Sequence, residues 1–184
     1  ALFKVDGGEA VFTGQMGAYN SSPSGSNPQM FWLPGKAMLR AGQVTGTQWD
    51  LANIGDYSTA FGYNTLAAGH YSLAAGLADS AIGEAAIALG KENIADGQAA
   101  FSAGRGSRVT ADYGVAIGYS NHATASYALS LGHDSYAGGN ASIAIGEFAG
   151  AIQDNTAAIG SYVSAKAEDN MVIGNGFDGT NRIE

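Results

Sequence analysis

From Gly55 onward, large apolar, small and polar positions recur in a fixed order with a period of fourteen residues. Gly62, Gly76, Gly90, Gly104, Gly118, Gly132, Gly146, Gly160 and Gly174 mark this period without one insertion. The residue before each glycine is Phe61, Ala75, Leu89, Ala103, Ile117, Leu131, Ile145, Ile159 or Ile173, apolar throughout. Two places earlier stand Thr59, Leu73, Ile87, Phe101, Val115, Leu129, Ile143, Ala157 and Met171. Between these columns lie Ala60, Ala74, Ala88, Ser102, Ala116, Ser130, Ala144, Ala158 and Val172, nearly all small. An alternation of large, small and large has a period of two, and predicts a short β-strand with one crowded and one bulky face.

A second half-repeat follows each glycine. Five residues on come Ala67, Ala81, Ala95, Val109, Ala123, Ala137, Ala151 and Ala165, again small. Eight residues on, the slot is polar, with His70, Glu84, Gln98, Asp112, Ser126, Asn140, Asp154 or Glu168. Two short strands and two glycine-centred turns per period make one coil of an all-β solenoid, each coil hydrogen-bonding to its neighbours. At about 4.8 Å per coil the eight intervals stack into a parallel β-roll roughly 40 Å tall. So narrow a coil holds only Ala, Ser and Gly inside.

The large residues must then face out. Leu73, Ile87, Leu89, Phe101, Val115, Ile117, Leu129, Leu131, Ile143, Ile145, Ile159 and Ile173 form a stripe along one side of the rod. A stripe of that height is several hundred square ångströms of apolar surface, the limit for a soluble monomer. The chain is therefore expected to associate with itself through this stripe, unless its own N-terminal segment covers it.

The phase extends upstream through Gly55 and Tyr57, the latter in a slot also held by Tyr71, Tyr113 and Tyr127. Leu39 to Gly42 resemble a strand and turn, but Gly42 precedes Gly55 by thirteen residues where the period requires seven. Six extra residues within Gln43 to Leu51 are expected to form an inserted surface loop carrying Trp49 and Asp50. Residues 1–51 thus form an irregular N-terminal cap and insertion segment, residues 52–176 the repeat head, and residues 177–184 the start of a C-terminal connection. Residues 1–35 hold all three prolines, Pro23, Pro28 and Pro34, and the cluster Met30 to Leu33. Phe31 and Trp32 are expected as the core of a cap that shields the open strand edge, or else as an aromatic platform for carbohydrate. Both ends are expected to continue in a longer protein.

Composition narrows the partners. A net charge of -8 with only eight Lys and Arg argues against nucleic acid, which needs clustered basic residues. There is no Cys, so thiolate metal sites and disulfides are excluded. No run approaches the length of a membrane helix, so direct membrane insertion by this stretch is not expected.

The residues also offer little chemistry. His70, His122 and His133 fall at different places in the repeat and offer no regular metal spacing. Asp112 and Asp154 share a phase three coils apart, about 14 Å, too far for a glycosidase pair. Gly104, Arg105 and Gly106 open no helix after a strand, so they do not form a phosphate loop. Of the threonines only Thr110 and Thr124 align, which argues against a regular ice-binding face. No enzymatic activity, metal or cofactor is expected. Trp49, Tyr63, Tyr119 and Phe148 are candidate ligand contacts.

The segments Ser142 to Gly146, Gly114 to Gly118 and Asn170 to Gly174, with the Ala-x-Gly of Ala137 to Gly139, resemble the head repeat of Yersinia-adhesin-like (YadA-like) trimeric autotransporter adhesins. The resemblance spans residues 52–176. It implies a left-handed roll, three chains around one axis, and an extracellular position on a bacterial surface. The implied role is attachment to a cell surface, matrix protein or glycan. Such repeats also occur in phage tail fibres, so a receptor-binding or spacer module of a phage or contractile-injection-system fibre is the other reading.

Overall fold

The computed structural model describes residues 28–166 and 170–175 with their side chains. It also gives the backbone course of strands Leu2–Asp6, Glu9–Thr13 and Arg182–Ile183. The stretch Asn20 to Asn27 of the expected cap, and most of the expected C-terminal connection, lie outside the described residues.

Each coil contributes one five-residue strand and one two-residue strand, as in Val115–Tyr119 followed by His122–Ala123. The long strands build a twelve-stranded sheet and the short ones an eight-stranded sheet. Coils stack parallel and in register, with Ala116 opposite Ser130, Ile117 opposite Leu131 and Gly118 opposite Gly132. Because the offset between successive repeat coils from Thr59 onward is fourteen residues, each column of the repeat becomes a line of neighbours along the rod, as predicted.

The interior is lined by the small columns. Ala60, Ala74, Ala88, Ala116, Ala144 and Ala158 meet Ala67, Ala81, Ala95, Ala123, Ala137 and Ala151, all fully buried. The two serines among them are satisfied across the coil: Ser102 Oγ donates to Ser107 O and Ser130 Oγ to Ser135 O, each at 2.8 Å.

The repeat glycines are placed differently from expectation. They do not centre a turn but occupy the fourth position of each long strand, as Gly118 does in Val115–Tyr119. At Gly76, φ is +136° and a Cβ would run into the carbonyl oxygen of Gly90 on the next coil. Both the torsion and the close approach exclude a side chain. The chain turns two residues later, where Asn64, Ala78, Glu92, Ser120, Asp134, Phe148 and Tyr162 take φ between 50° and 60°.

The sheet continues upstream of residue 52, so that boundary divides a coil. Met38–Gln43 pairs parallel with Thr59–Tyr63, Gly42 lying opposite Gly62. This coil carries the six additional residues that the spacing predicted. Gln29–Leu33 then pairs antiparallel with Met38–Gln43 and ends the sheet; Arg182–Ile183 adds antiparallel at the other end.

The open mouth of the roll is filled by large side chains. Arg40 stands in the column of interior alanines and is fully buried. Its guanidinium donates to the carbonyls of Leu39, Ser58 and Ala67 and to Ser58 Oγ, at 2.8 to 3.0 Å. Burial pushes it down to about 10, still charged near neutral pH. Trp49, expected on a surface loop, is buried with 1 % exposure and donates Nε1 to Thr65 O at 3.0 Å. A hollow roll must be closed where its stack ends, and the insertion folds inward to do it. Leu33, Met38 and Ile54 form a small core with Phe31 and Leu51 packed against it, and the Phe31 ring meets that of Trp49 at 5.7 Å.

Candidate functional site

The long sheet turns its bulky columns outward. Leu73, Ile87, Phe101, Val115, Leu129 and Ile143 form one line, and Leu89, Ile117, Leu131, Ile145, Ile159 and Ile173 the other. In a single chain these side chains remain part-exposed, Ile117 at 38 %. The lines run on into the terminal hairpin, where Trp32 pairs with Leu39 and Met30 with Ala41. Trp32 is 39 % exposed, so it does not join the cap core with Phe31. It heads the outer face instead. The alternation that turns Leu33 and the part-buried Phe31 inward turns Met30 and Trp32 outward.

A second surface runs along the edge where the long strands end. Arg105 lies over the Tyr119 ring at 5.6 Å, Tyr119 meets His133 edge-on at 5.1 Å, His133 meets Phe148 at 5.4 Å, and Phe148 stacks on Tyr162 at 4.9 Å. Two of the candidate ligand contacts, Tyr119 and Phe148, are thus exposed members of one ladder. Tyr63 is exposed on the same edge, nearer the closed mouth; Trp49 is removed from the set by its burial. His133 also stands 2.9 Å from Asp134 and 3.5 Å from Glu147. The opposite edge bears two parallel tyrosine pairs, Tyr57 on Tyr71 at 5.1 Å and Tyr113 on Tyr127 at 5.2 Å.

The acidic residues weighed as catalytic serve the turns. Asp112 Oδ1 accepts from Gln98 N and Asp154 Oδ1 from Asn140 N, each at 2.8 Å, tying a turn to the coil below it. Among the described residues no cluster of three His, Asp or Glu side chains is arranged to hold a metal ion.

Beneath the aromatic edge lies a buried polar ladder that sequence reading missed. Three residues after the strand glycines from Gly76 to Gly132 stand Asp79, Asn93, Ser107, Asn121 and Ser135, all fully buried. Each side-chain oxygen accepts the backbone N–H of the equivalent residue one coil on: Asn93 N to Asp79 Oδ1, Ser107 N to Asn93 Oδ1, Asn121 N to Ser107 Oγ, Ser135 N to Asn121 Oδ1 and Ala149 N to Ser135 Oγ. The amides of Asn93 and Asn121 donate to two carbonyls each, Leu89 and Gly104 for the first, Ile117 and Gly132 for the second. The turns from Asn93 to Ala149 are thus pinned from inside. The signal in sequence was a small polar residue every fourteen, obscured because its type changes and ends in Ala149 and Val163. Burial pushes the Asp79 carboxyl above its usual range, with Glu92 adding to the rise and the Asn93 donors and the Gly90 backbone N–H opposing it.

Comparison with known proteins agrees with the resemblance seen in the sequence. No curated protein matches the chain. Two stretches, residues 54–77 and 110–135, match the model of the YadA head domain repeat. Each covers two successive long strands and the short strand between them. Within the solenoid these two stretches are YadA-like head repeats.

Proposed function

We propose that this chain forms the head of an extracellular attachment fibre at a bacterial surface, assembled as a homotrimer through the outer face of the twelve-stranded sheet. The observation that carries this reading is the pair of aliphatic columns, with Trp32 and Met30 at their head. Each large aliphatic residue left in water forfeits about 1.5–3 kcal/mol relative to full burial, and a continuous face of them calls for a partner. A second copy presents the same columns at the same spacing. The YadA head repeat supports attachment as the role, with a surface receptor, matrix protein or glycan as target. The function is binding without catalysis, supported by the structural employment of Asp112 and Asp154 in the turns.

Light scattering on the purified chain tests the assembly. The expected mass is three chains, falling to one in Ile117→Asp with Ile145→Asp; a wild-type monomer overturns it. An array of matrix proteins and glycans tests attachment, and failure to be retained on any of them would count against it. Release of oligosaccharides from surface polysaccharide would overturn the non-catalytic reading.

A further inference from the structure

Asp79 is the one acidic member of the buried ladder, and its two oxygens have unequal surroundings. Oδ1 accepts from the backbone N and the side-chain Nδ2 of Asn93, both at 2.8 Å. Oδ2 is buried and has no hydrogen-bond partner. Its position is that of a donor. A Cβ built on Gly76 would meet Asp79 Oδ2 at 2.5 Å and run into the Gly90 carbonyl oxygen. A Cβ built on Gly118 would meet Asn121 Nδ2 at 2.7 Å and run into the Gly132 carbonyl oxygen. Asp79 Oδ2 thus approaches the Cβ position of Gly76 as Asn121 Nδ2 approaches that of Gly118, and Nδ2 donates to Gly132 O at 2.6 Å. The register equivalents for Asp79 are the carbonyls of Ala75 and Gly90. An ionised oxygen in that place would lie buried with no well-formed hydrogen bond, and the Gly90 backbone N–H beside the carboxyl only partly offsets the cost of burying the charge.

We propose that Asp79 is a proton-binding site within the roll, folded as the neutral acid, its hydroxyl donating where Asn93 and Asn121 donate their amides. The ladder then runs through it unbroken. The turns packed on either side carry Tyr63, Lys91 and Glu92 as their titratable groups. Lys91 Nζ is paired with Glu92 at 3.7 Å, and the field of Glu92 favours the neutral acid. Burial acts in the same direction.

The sign of the consequence follows from linkage. A carboxyl that holds its proton more tightly folded than unfolded makes the fold most favoured below the ordinary carboxylate pKa. That advantage is lost as pH rises from there through the raised value. Asp79→Asn, which keeps the shape and supplies the amide, is expected to remove this dependence. Between the two pKa values each pH unit should cost the wild type roughly tenfold in folding equilibrium relative to the variant. A wild-type-to-variant gap that stays constant with pH, or widens toward acid, overturns the proposal. Carbon-13 titration of the wild-type carboxyls decides it independently of whether the variant folds. The Asp79 carbon is expected to titrate above the exposed aspartates, and a midpoint at or below theirs overturns it. So does wild-type stability that rises with sodium at constant ionic strength while the carboxyl is ionised, the behaviour of a cation site.

Discussion

Val109 and Gly114 share one volume inside the roll: a Cβ on Gly114 would lie 2.7 Å from Val109 Cγ1. Val109 stands in the column otherwise held by alanines, and the position of Gly114 is held by Ala86, Ala100 and Ala128 in neighbouring coils. One extra pair of methyls on one wall is accommodated by one missing methyl on the other. Gly114→Ala should therefore cost about 1–3 kcal/mol, because a β-branched valine has little freedom to yield. Val109→Ala in the same chain should restore most of the loss. Urea denaturation of the two single variants and the double variant measures the coupling.

Arg40 holds the carbonyls of Ser58 and Ala67 at the mouth of the roll. Replacing it with Met keeps much of the volume and removes the guanidinium's hydrogen bonds, while Ser58 O and Ala67 O keep the backbone N–H groups of Leu39 and Gly55, so the loss should be about 1–3 kcal/mol in total. The damage should be local, since each coil contacts only its neighbours. Amide exchange should speed up in residues 58–67 and stay unchanged beyond residue 115.

Asn121 and Asn140 are both asparagines in turns, with opposite burial. Asn121→Ala orphans the N–H of Ser135 and the carbonyl contacts to Ile117 and Gly132, whereas Asn140 lies in solvent. The first change should lower stability by about 2–4 kcal/mol and the second by less than about 0.5 kcal/mol. Thermal melts of the two variants make the comparison.

Trp32 tests how far the outer face reaches. Under the proposed assembly, Trp32→Lys should weaken association without disturbing the cap, since Leu33 and Phe31 supply the packing below it. Sedimentation across a concentration series would show dissociation beginning at higher concentration than in wild type. Unchanged association would confine the interface to the regular coils.

The aromatic edge separates binding from stability. Phe148→Ala with Tyr119→Ala removes exposed rings from the ladder, at about 0.5–1.5 kcal/mol per lost aromatic contact. If the edge meets the ligand, retention on the target surface should fall while the mass by light scattering stays that of wild type.

What could be read in the sequence was whatever repeats at one spacing with one kind of side chain. The period, the small interior and the outward aliphatic columns were of this sort, since Ala116 and Ile117 recur in kind at every fourteenth position. The buried ladder was hidden because Asp79, Asn93, Ser107 and Asn121 do the same task with different groups. The role of the repeat glycines depended on a carbonyl one coil away, which no local turn rule encodes. The two tryptophans came out reversed for a related reason. Trp49 sits in an insertion, which suggested a surface loop, yet the end of a hollow stack needs a plug. Trp32 lies in an apolar cluster, but which of Phe31 and Trp32 points inward is fixed only by the pairing of Trp32 with Leu39.

The in-register stacking of Gly62, Gly76, Gly90 and their successors also decides how the rod carries load. Hydrogen bonds between coils run along its length, so tension applied at the two ends is borne by the coils in series. Such a column does not share force among its rungs. It yields first at its weakest rung and then lengthens as coils come away one at a time, so the strength of the whole is that of its least well pinned rung, whether the terminal hairpin of Gln29–Leu33 on Met38–Gln43 or a coil within the stack.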